Sequence, residues 1–506
     1  MIRISPTYPL AAVIAVCALL PLVVLGILAE APDGLLQARN LRLLGNTLLL
    51  AGLTACGSIA IGVPFALLTA YVSLPLQRLW LVLLAAPLAL PSYIGAFAFF
   101  AAFGPSGEFA VTLGVTIPSV EGMAGAALVM TLYTYPFVML TTRAALLSLD
   151  ASQVHAARIL GLSLSASLWQ VVLPRALRGI GAGALLAALY ALSDFGTPAI
   201  MGVDTFTRMI YVEYNAFSLG RAAVLSLQLL VIVGLVLFLE SQLSSTSERP
   251  GRALALYPTS AQTLSAAAVA LPIILLALAL PIGIFTLWLW REGSAGFELS
   301  YVWNSAYAAL LAGGFAAILA IPMALAAMAG PAGRFMERLT YFGFGVPGIV
   351  MGTALVYVGL QLPSLYQTLM LLVAAYVMRF LPLAVGSLRA TAEGIDESLV
   401  KAARVLGATP REAFMRVTLP LTRRGLIAGA ALVFLESMRE LPATLLLAPT
   451  GFETLATYLW RVYEAGYFGR AAVPGLLLVL ISAFGLMLIL SGEQQGDTAH
   501  REEECN

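Results

Sequence analysis

The sequence predicts an all-α membrane protein of about twelve transmembrane helices, arranged as two parallel repeats of six. Three observations predict it. The 506-residue chain is 60% hydrophobic and only 10% charged, too little polar surface for a soluble protein of this size. Apolar runs of about 20 residues recur along it, each long enough to cross a bilayer. One polar, arginine-bearing segment also occurs twice. It reads His155-Ala-Ala-Arg-Ile-Leu-Gly161 with Leu173-Pro174, then Lys401-Ala-Ala-Arg-Val-Leu-Gly407 with Leu419-Pro420, at an offset of 246 residues.

Taken in order, spans are expected over 9–29, 47–72, 79–103, 122–142, 179–201, 222–241, 263–290, 304–328, 339–360, 367–387, 425–447 and 472–491. The first has a leader-like alternative, because Ala29-Glu30-Ala31 resembles a cleavage site. A retained helix is the preferred reading: the run is long for a leader core, and the span over 263–290 holds the equivalent place. Asn46-Thr47 and Pro64 in the second span answer Asn304-Ser305 and Pro322 in the eighth, at an offset of 258. The offset falls to 246 mainly because the first half has a longer loop around 103–121, which carries Glu108 and Glu121 and no basic residue. From Pro136 and Pro382 to Asp194 and Glu440 the halves align without a gap.

The domain organisation follows. Residues 1–243 form a first repeat with a polar loop over 150–175, and 244–262 a polar linker. Residues 263–491 form a second repeat with its loop over 396–421, and 492–506 a tail. Such halves are related by an axis along the membrane normal. An N-terminus in the cytoplasm puts eighteen basic residues inside and seven outside, the orientation that the positive-inside rule favours. Both termini and both polar loops are then cytoplasmic.

Composition excludes several functions. Lys401 is the only lysine and lies between Val400 and Ala402, so the chain lacks the Gly-Lys-Ser/Thr of an ATP-binding loop. Cys17, Cys56 and Cys505, with only His155 and His500, are too few and scattered for a disulfide framework or a metal site. No catalytic residue and no cofactor is assigned. The net charge of +1 gives no sign of nucleic-acid binding.

Each polar loop is expected to form a short helix, a glycine break and a second helical piece. Asp150 and Asp396 are suitable N-caps, and Asp150 with Gln153 resembles a capping box. Ala156-Ala157 and Ala402-Ala403 offer a small-residue face that another protein's backbone can approach. Gly161 and Gly407 can take positive φ and end the helix, and Pro174 and Pro420 are expected to set the turn into the next span. Amphipathic loops lying on lipid headgroups are the alternative, disfavoured because two loops lie in register inside a repeat.

The pattern Ala-Ala-Arg-x-Leu-Gly, with a proline thirteen residues after the glycine, resembles the EAA loop of permease subunits of binding-protein-dependent ABC importers. The resemblance covers most of the chain. It implies a fused pair of type I importer permease domains in a bacterial inner membrane. It also implies two ATP-binding subunits gripping the loops and a periplasmic substrate-binding protein outside. Carried over, the coupling residues are His155, Ala156, Ala157, Arg158, Gly161 and Pro174, with Lys401, Ala402, Ala403, Arg404, Gly407 and Pro420. His155 and Lys401 depart from the family's glutamate.

Asp194 and Glu440 fall at matched depths inside the fifth and eleventh spans, where an ionised group costs on the order of 2.5–3.5 kcal/mol. Pro198 and Pro442 suggest that both helices break nearby. One reading is a translocation pathway or gate that includes Glu436, Arg379 and Arg439. The other is structural pairing of Glu436 or Glu440 with Arg379 or Arg439, and the two can coexist. Ser193-Asp-Phe-Gly-Thr-Pro198 and Glu440-Leu-Pro-Ala-Thr444 resemble the ferric-iron branch of fused permeases. Thiamine is the runner-up, with polyamine, phosphonate and sulfate open. A secondary transporter needs no paired docking loops, and a polytopic membrane enzyme needs a residue cluster that the chain does not repeat.

Overall fold

The computed structural model describes residues 8–29, 37–243, 254, 256–485 and 487. The tail over 492–506 and most of the linker lie outside these residues. Ten described helices are long and apolar enough to cross a membrane, and two bent helix pairs bring the crossings to twelve. The molecule is an all-α membrane protein. The β-pairing among the described residues is a single bridge from Val72 to Leu256, at the end of the linker.

The third and ninth spans are each a bent pair of helices, a feature that the span boundaries alone do not give. Gln77–Ala89 meets Ser92–Ala102 at 89°, and Pro331–Gly345 meets Gly348–Gln361 at 101°. Each bend falls at an X-Pro step, Leu90-Pro91 and Val346-Pro347. Proline disfavours α geometry in the residue before it. Leu90 and Val346 accordingly turn extended, with ψ of 132° and 123°.

The fifth and eleventh spans break where their matched prolines suggested. Leu173–Ser193 gives way at Asp194 to the short helix Gly196–Ile200, and Leu419–Met438 gives way to Pro442–Leu447. Beyond each break a further helix, Phe206–Asn215 or Leu455–Glu464, is started by the span residues that the repeat singled out. Thr47 Oγ1 accepts from the Phe206 amide at 3.1 Å, while Asn46 Nδ2 donates to the Asp204 carbonyl at 3.0 Å. Ser305 Oγ accepts from the Leu455 amide at 2.8 Å, and Asn304 Nδ2 donates to the Glu453 carbonyl at 2.9 Å. These hydroxyls satisfy amides at helix starts that have no partner within the helix.

The described residues cluster into two compact units, which cut the chain differently from the sequence repeat. One holds Met1–Pro32, Ile210–Leu227 and Phe297–Arg461; the other holds Asp33–Met209, Gln228–Gly296 and Val462–Asn506. Within the former, the first span Tyr8–Leu28 packs on Leu299–Ala329, Pro331–Gly345 and Gly348–Gln361. Within the latter, the seventh span packs on Ser92–Ala102 and Gly122–Leu147 of the first half. Each unit thus includes a membrane helix from the other half of the sequence.

Inside each unit, glycines at matched positions bring the fifth-type span against the fourth-type span. A Cβ at Gly183 would lie 2.6 Å from Val138 Cα, and one at Gly429 would lie 2.8 Å from Ala384 Cα. Gly179 and Gly425, one turn earlier, face Thr141 O and Ser387 O at 2.9 and 2.6 Å. These Gly-xxx-Gly pairs allow the backbone approach on which helix association in lipid relies. Valine at Gly183 or Gly429 is therefore expected to cost about 1–3 kcal/mol by overpacking. A lower melting temperature in detergent is the readout. Alanine at Gly234, where a Cβ meets nothing within 4 Å, is the control and should melt as the parent does. Unchanged melting of both valine variants would contradict the packing.

Candidate coupling loops and buried acidic breaks

The first polar loop is built on the helix Ala151–Ile159 and the second on Glu397–Val405. Asp150 caps the former by accepting from the Ser152 amide at 2.9 Å, and Asp396 caps the latter through Ser398 at 2.8 Å. The hydrogen bonds from Ser398 hold the Asp396 carboxyl below the usual carboxylate range. This cap therefore stands at all pH values above that range and is lost only on acidification through the lowered pKa.

The expected capping box at Asp150 is not formed. Gln153 Oε1 instead accepts from Arg175 Nη1 at 2.5 Å, which ties the loop helix to the span that follows. A reciprocal box sits in the second loop, on its next helical piece. There the Thr409 amide donates to Glu412 Oε2 at 2.8 Å and the Glu412 amide donates to Thr409 Oγ1 at 3.3 Å.

Both loop helices end in the same turn. Gly161 has φ of +94° and Gly407 of +91°. The Gly161 and Leu162 amides donate to the Arg158 and Ala157 carbonyls, and the Gly407 and Ala408 amides to Arg404 and Ala403. This is a Schellman closure, in which a glycine in the left-handed region lets two otherwise orphaned carbonyls be satisfied.

The turn also determines what each loop displays. Ile159 and Leu160 are 85% and 83% exposed, and their counterparts Val405 and Leu406 are 87% and 86% exposed. Trp169 and its counterpart Met415 are exposed as well. His155, Ala156, Arg158, Lys401, Ala402 and Arg404 are exposed around these tips. The small-residue face needs correction at Ala157, which is buried, and at Ala403, which is half-buried. Adjacent helix positions point about 100° apart, so both alanines of a pair cannot serve one face. The sequence pattern alone does not show that Ile159-Leu160 and Val405-Leu406 form exposed tips, because side-chain exposure depends on the turn that follows.

Pro174 and Pro420 do not set a turn. Each lies inside a continuous helical run, Leu164–Ser193 or Arg411–Met438, immediately after a π segment, Leu168–Val172 or Phe414–Thr418. Proline lacks an N–H and its ring crowds the carbonyl four residues earlier. The wider π turn before each Leu-Pro step removes that conflict and lets the rod continue. The seventh span repeats the arrangement at Leu275–Ala279 and Leu280-Pro281. Each rod runs from its loop towards a broken-helix acid, and Ala151 and Val154 of the first loop pack beside Val172 and Ala176 at its base.

At the end of the first rod, Asp194 caps the short helix beyond the break. Its carboxylate accepts from the Gly196 and Thr197 amides at 3.2 and 3.3 Å and from Ser92 Oγ at 2.8 Å. Ser92 is the first residue after the Pro91 bend. Glu440 repeats the design: its Oε1 accepts from the Ala443 amide at 3.1 Å and sits against the Pro347 bend. A Cβ on Gly348 would land on Glu440 Oε1 and on Arg379 Nη1, so a larger residue there would have to displace this pair.

The two sites differ in their counter-charge. Glu440, 7% exposed, pairs with Arg379 at 2.7 Å. The residue matched to Arg379 in the first half is Tyr133, whose hydroxyl donates to the Ala277 carbonyl in the seventh-span π segment at 3.0 Å. Glu436 pairs with Arg439 three residues on. Asp194 and Glu440 thus belong to separate compact units, each joined to the bend of a neighbouring span. Ser92, Gly348 and the bends themselves were not anticipated from sequence; the matched Pro91-Ser92 and Pro347-Gly348 steps are the signal.

Comparison with known proteins places this architecture. Residues 62–291 and 309–491 each match the family described as the inner membrane component of binding-protein-dependent transport systems. The chain is 30% identical to the Fe(3+)-transport system permease protein FbpB 2 of Haemophilus influenzae over 91% of its length and 92% of that protein's. It is 27% identical to the probable ABC transporter permease protein y4fN of Sinorhizobium fredii, covering 92% of this chain and 90% of that one. Over 23% of the chain and 52% of the relative it is 34% identical to the molybdenum transport system permease protein ModB of Escherichia coli K12. With two copies of the family domain in one chain, the protein belongs to the inner membrane components of binding-protein-dependent transport systems, as an ABC importer permease.

Proposed function

We propose that this chain forms the whole membrane passage of an ATP-driven importer for ferric iron, with its termini and both polar loops in the cytoplasm. Two ATP-binding subunits occupy the loops, which here are the coupling loops, and a periplasmic binding protein delivers substrate to the opposite face. The catalysis of ATP hydrolysis belongs to those partners. The observation that carries the docking assignment is the pair of matched apolar tips, Ile159-Leu160 and Val405-Leu406, left exposed by matching glycine turns. Full burial of one such side chain contributes about 1.5–3 kcal/mol, so the tips favour a covering partner. The ferric assignment rests on the Haemophilus relative, whose similarity spans nearly the whole chain.

The mechanism follows from the rods. A 30-residue helix is about 45 Å long, and a 28-residue helix about 42 Å. Closure of the ATPase pair displaces the two loops. Each rod carries that displacement to its acid and to the bend the acid holds, which gates the passage. Nucleotide must bind the two conformations with different affinity, because only that difference shifts the population. Asp194 and Glu440, with Glu436, Arg379 and Arg439 beside the second break, form the gate.

Three outcomes test this reading. Replacing Leu160 and Leu406 together by aspartate should weaken ATPase assembly at least about a hundredfold. Co-purification at wild-type yield would refute the docking assignment. Valine at Gly161 or Gly407 meets no steric obstacle but must adopt positive φ, which a β-branched residue strongly disfavours. It should lower substrate uptake in proteoliposomes while ATP hydrolysis continues; unchanged uptake in both variants would remove the coupling role. Asp194→Asn and Glu440→Gln should each depress uptake of labelled ferric iron with ATPase assembly intact. In the second case the half-buried Arg379 loses its charge partner, a loss of up to about 3–5 kcal/mol that Arg379→Met in the same chain should largely restore as thermal stability. Full uptake by both acid variants would leave only a packing role, and uptake of molybdate or thiamine instead of iron would move the substrate assignment.

A further inference from the structure

The turn before the sixth span holds a residue that local backbone geometry disfavours. Phe217 has φ of +57°, in the left-handed region that bulky L-residues avoid. Its side chain is 95% exposed. No packing compensates for the strain.

The second repeat supplies an internal comparison. Phe217-Ser-Leu-Gly-Arg-Ala-Ala-Val224 aligns with Gly466-Tyr-Phe-Gly-Arg-Ala-Ala-Val473. The two turns close in the same way. The Phe217 and Ser218 amides donate to the Tyr214 and Glu213 carbonyls, both at 2.9 Å, and the Gly466 and Tyr467 amides donate to the Tyr463 and Val462 carbonyls, both at 3.1 Å. Gly466 has φ of +74°. One turn thus uses glycine, which adopts this geometry without strain, while the other places a phenylalanine there.

Several polar groups flank Phe217, together with the exposed Val212 and Ala216. Arg221 Nε lies 3.1 Å from the carboxylate of the buried Glu213, and Arg221 Nη2 donates to Ser218 Oγ at 2.7 Å. Tyr214 reaches the Leu446 carbonyl at 3.4 Å, and Asn215 is exposed beside the turn. An exposed aromatic with a polar rim on a fixed turn has the anatomy of an interface anchor. A bilayer anchor at this level is more commonly Trp or Tyr, and the polar rim favours water over hydrocarbon. The turn follows the fifth span and the coupling loop precedes it, so the two lie on opposite faces of the membrane.

We infer that Phe217 is an anchor for the periplasmic binding protein, inserting into an apolar depression on that partner when it docks. This rests on the partner reading given above and adds the contact residue and the asymmetry: the first half places an aromatic at the positive-φ position, where the second has Gly466 with Tyr467 beside it. Strained backbone positions cluster at ligand clamps and switch regions, which motivates a functional reading of Phe217.

The test uses the permease with its ATPase subunits in nanodiscs, titrated with the ferric-loaded cognate binding protein while ATP hydrolysis is followed. Phe217→Gly and Phe217→Ala should raise the half-saturating concentration of binding protein at least about tenfold, with basal hydrolysis unchanged. Phe217→Gly should also melt at or above the parent's temperature, so the loss cannot come from misfolding. Parental stimulation in both variants would overturn the anchor. If the parent itself is not stimulated, the partner reading fails and the anchor falls with it. Phe217→Trp gives an independent readout: emission should shift blue when binding protein is added. Quenching by brominated lipid before that addition would place the residue in the bilayer and overturn the inference.

Discussion

Hydrocarbon offers a broken helix no water, so every interruption inside this molecule must bring its own hydrogen-bond partners. The carboxylates of Asp194 and Glu440 meet that constraint. Each accepts from amides of the short helix beyond a break and is held against the proline bend of another span. An acid at such a position is costly if unsatisfied, so hydrogen bonding ties break, bend and acid together. The rods that start at the polar loops end at these points.

The halves satisfy the same constraint by different electrostatics. Asp194 is held by a serine hydroxyl and two amides, while Glu440 adds a full counter-charge from Arg379. Tyr133, at the place corresponding to Arg379, is directed to a π-segment carbonyl of the seventh span. Two copies of one domain have therefore diverged where the acid is neutralised, while the glycine turns of their loops remain nearly superimposable in φ. In the proposed mechanism, equal forces applied at the loops meet unequal resistance at the breaks.

Much of this was legible in the sequence, because hydrophobic length and internal repetition are strong signals. The number of crossings, the matched loops, the positive φ of Gly161 and Gly407 and the breaks near Pro198 and Pro442 all follow from residue type and spacing. What stayed hidden depends on neighbours. Pro91 and Pro347 bend their spans sharply, yet Pro174 and Pro420 interrupt nothing, because a π turn placed before each Leu-Pro step takes up the missing donor. Gln153 looked like half of a capping box until Arg175, 22 residues away, offered a charged partner. Ala157 turned inward because successive helix positions cannot share a face. Periodicity could not reveal that the apolar pairs beside the glycines are exposed.

In the proposed mechanism the tips at Leu160 and Leu406 are the points at which foreign ATPases take hold. A photo-reactive amino acid placed at each position in turn, with irradiation of native membranes, tests it most directly. The account requires an ATP-binding subunit in the adduct from both positions, with a yield that changes when nucleotide is added. Adducts with lipid alone, or with a protein on the periplasmic side, would contradict it.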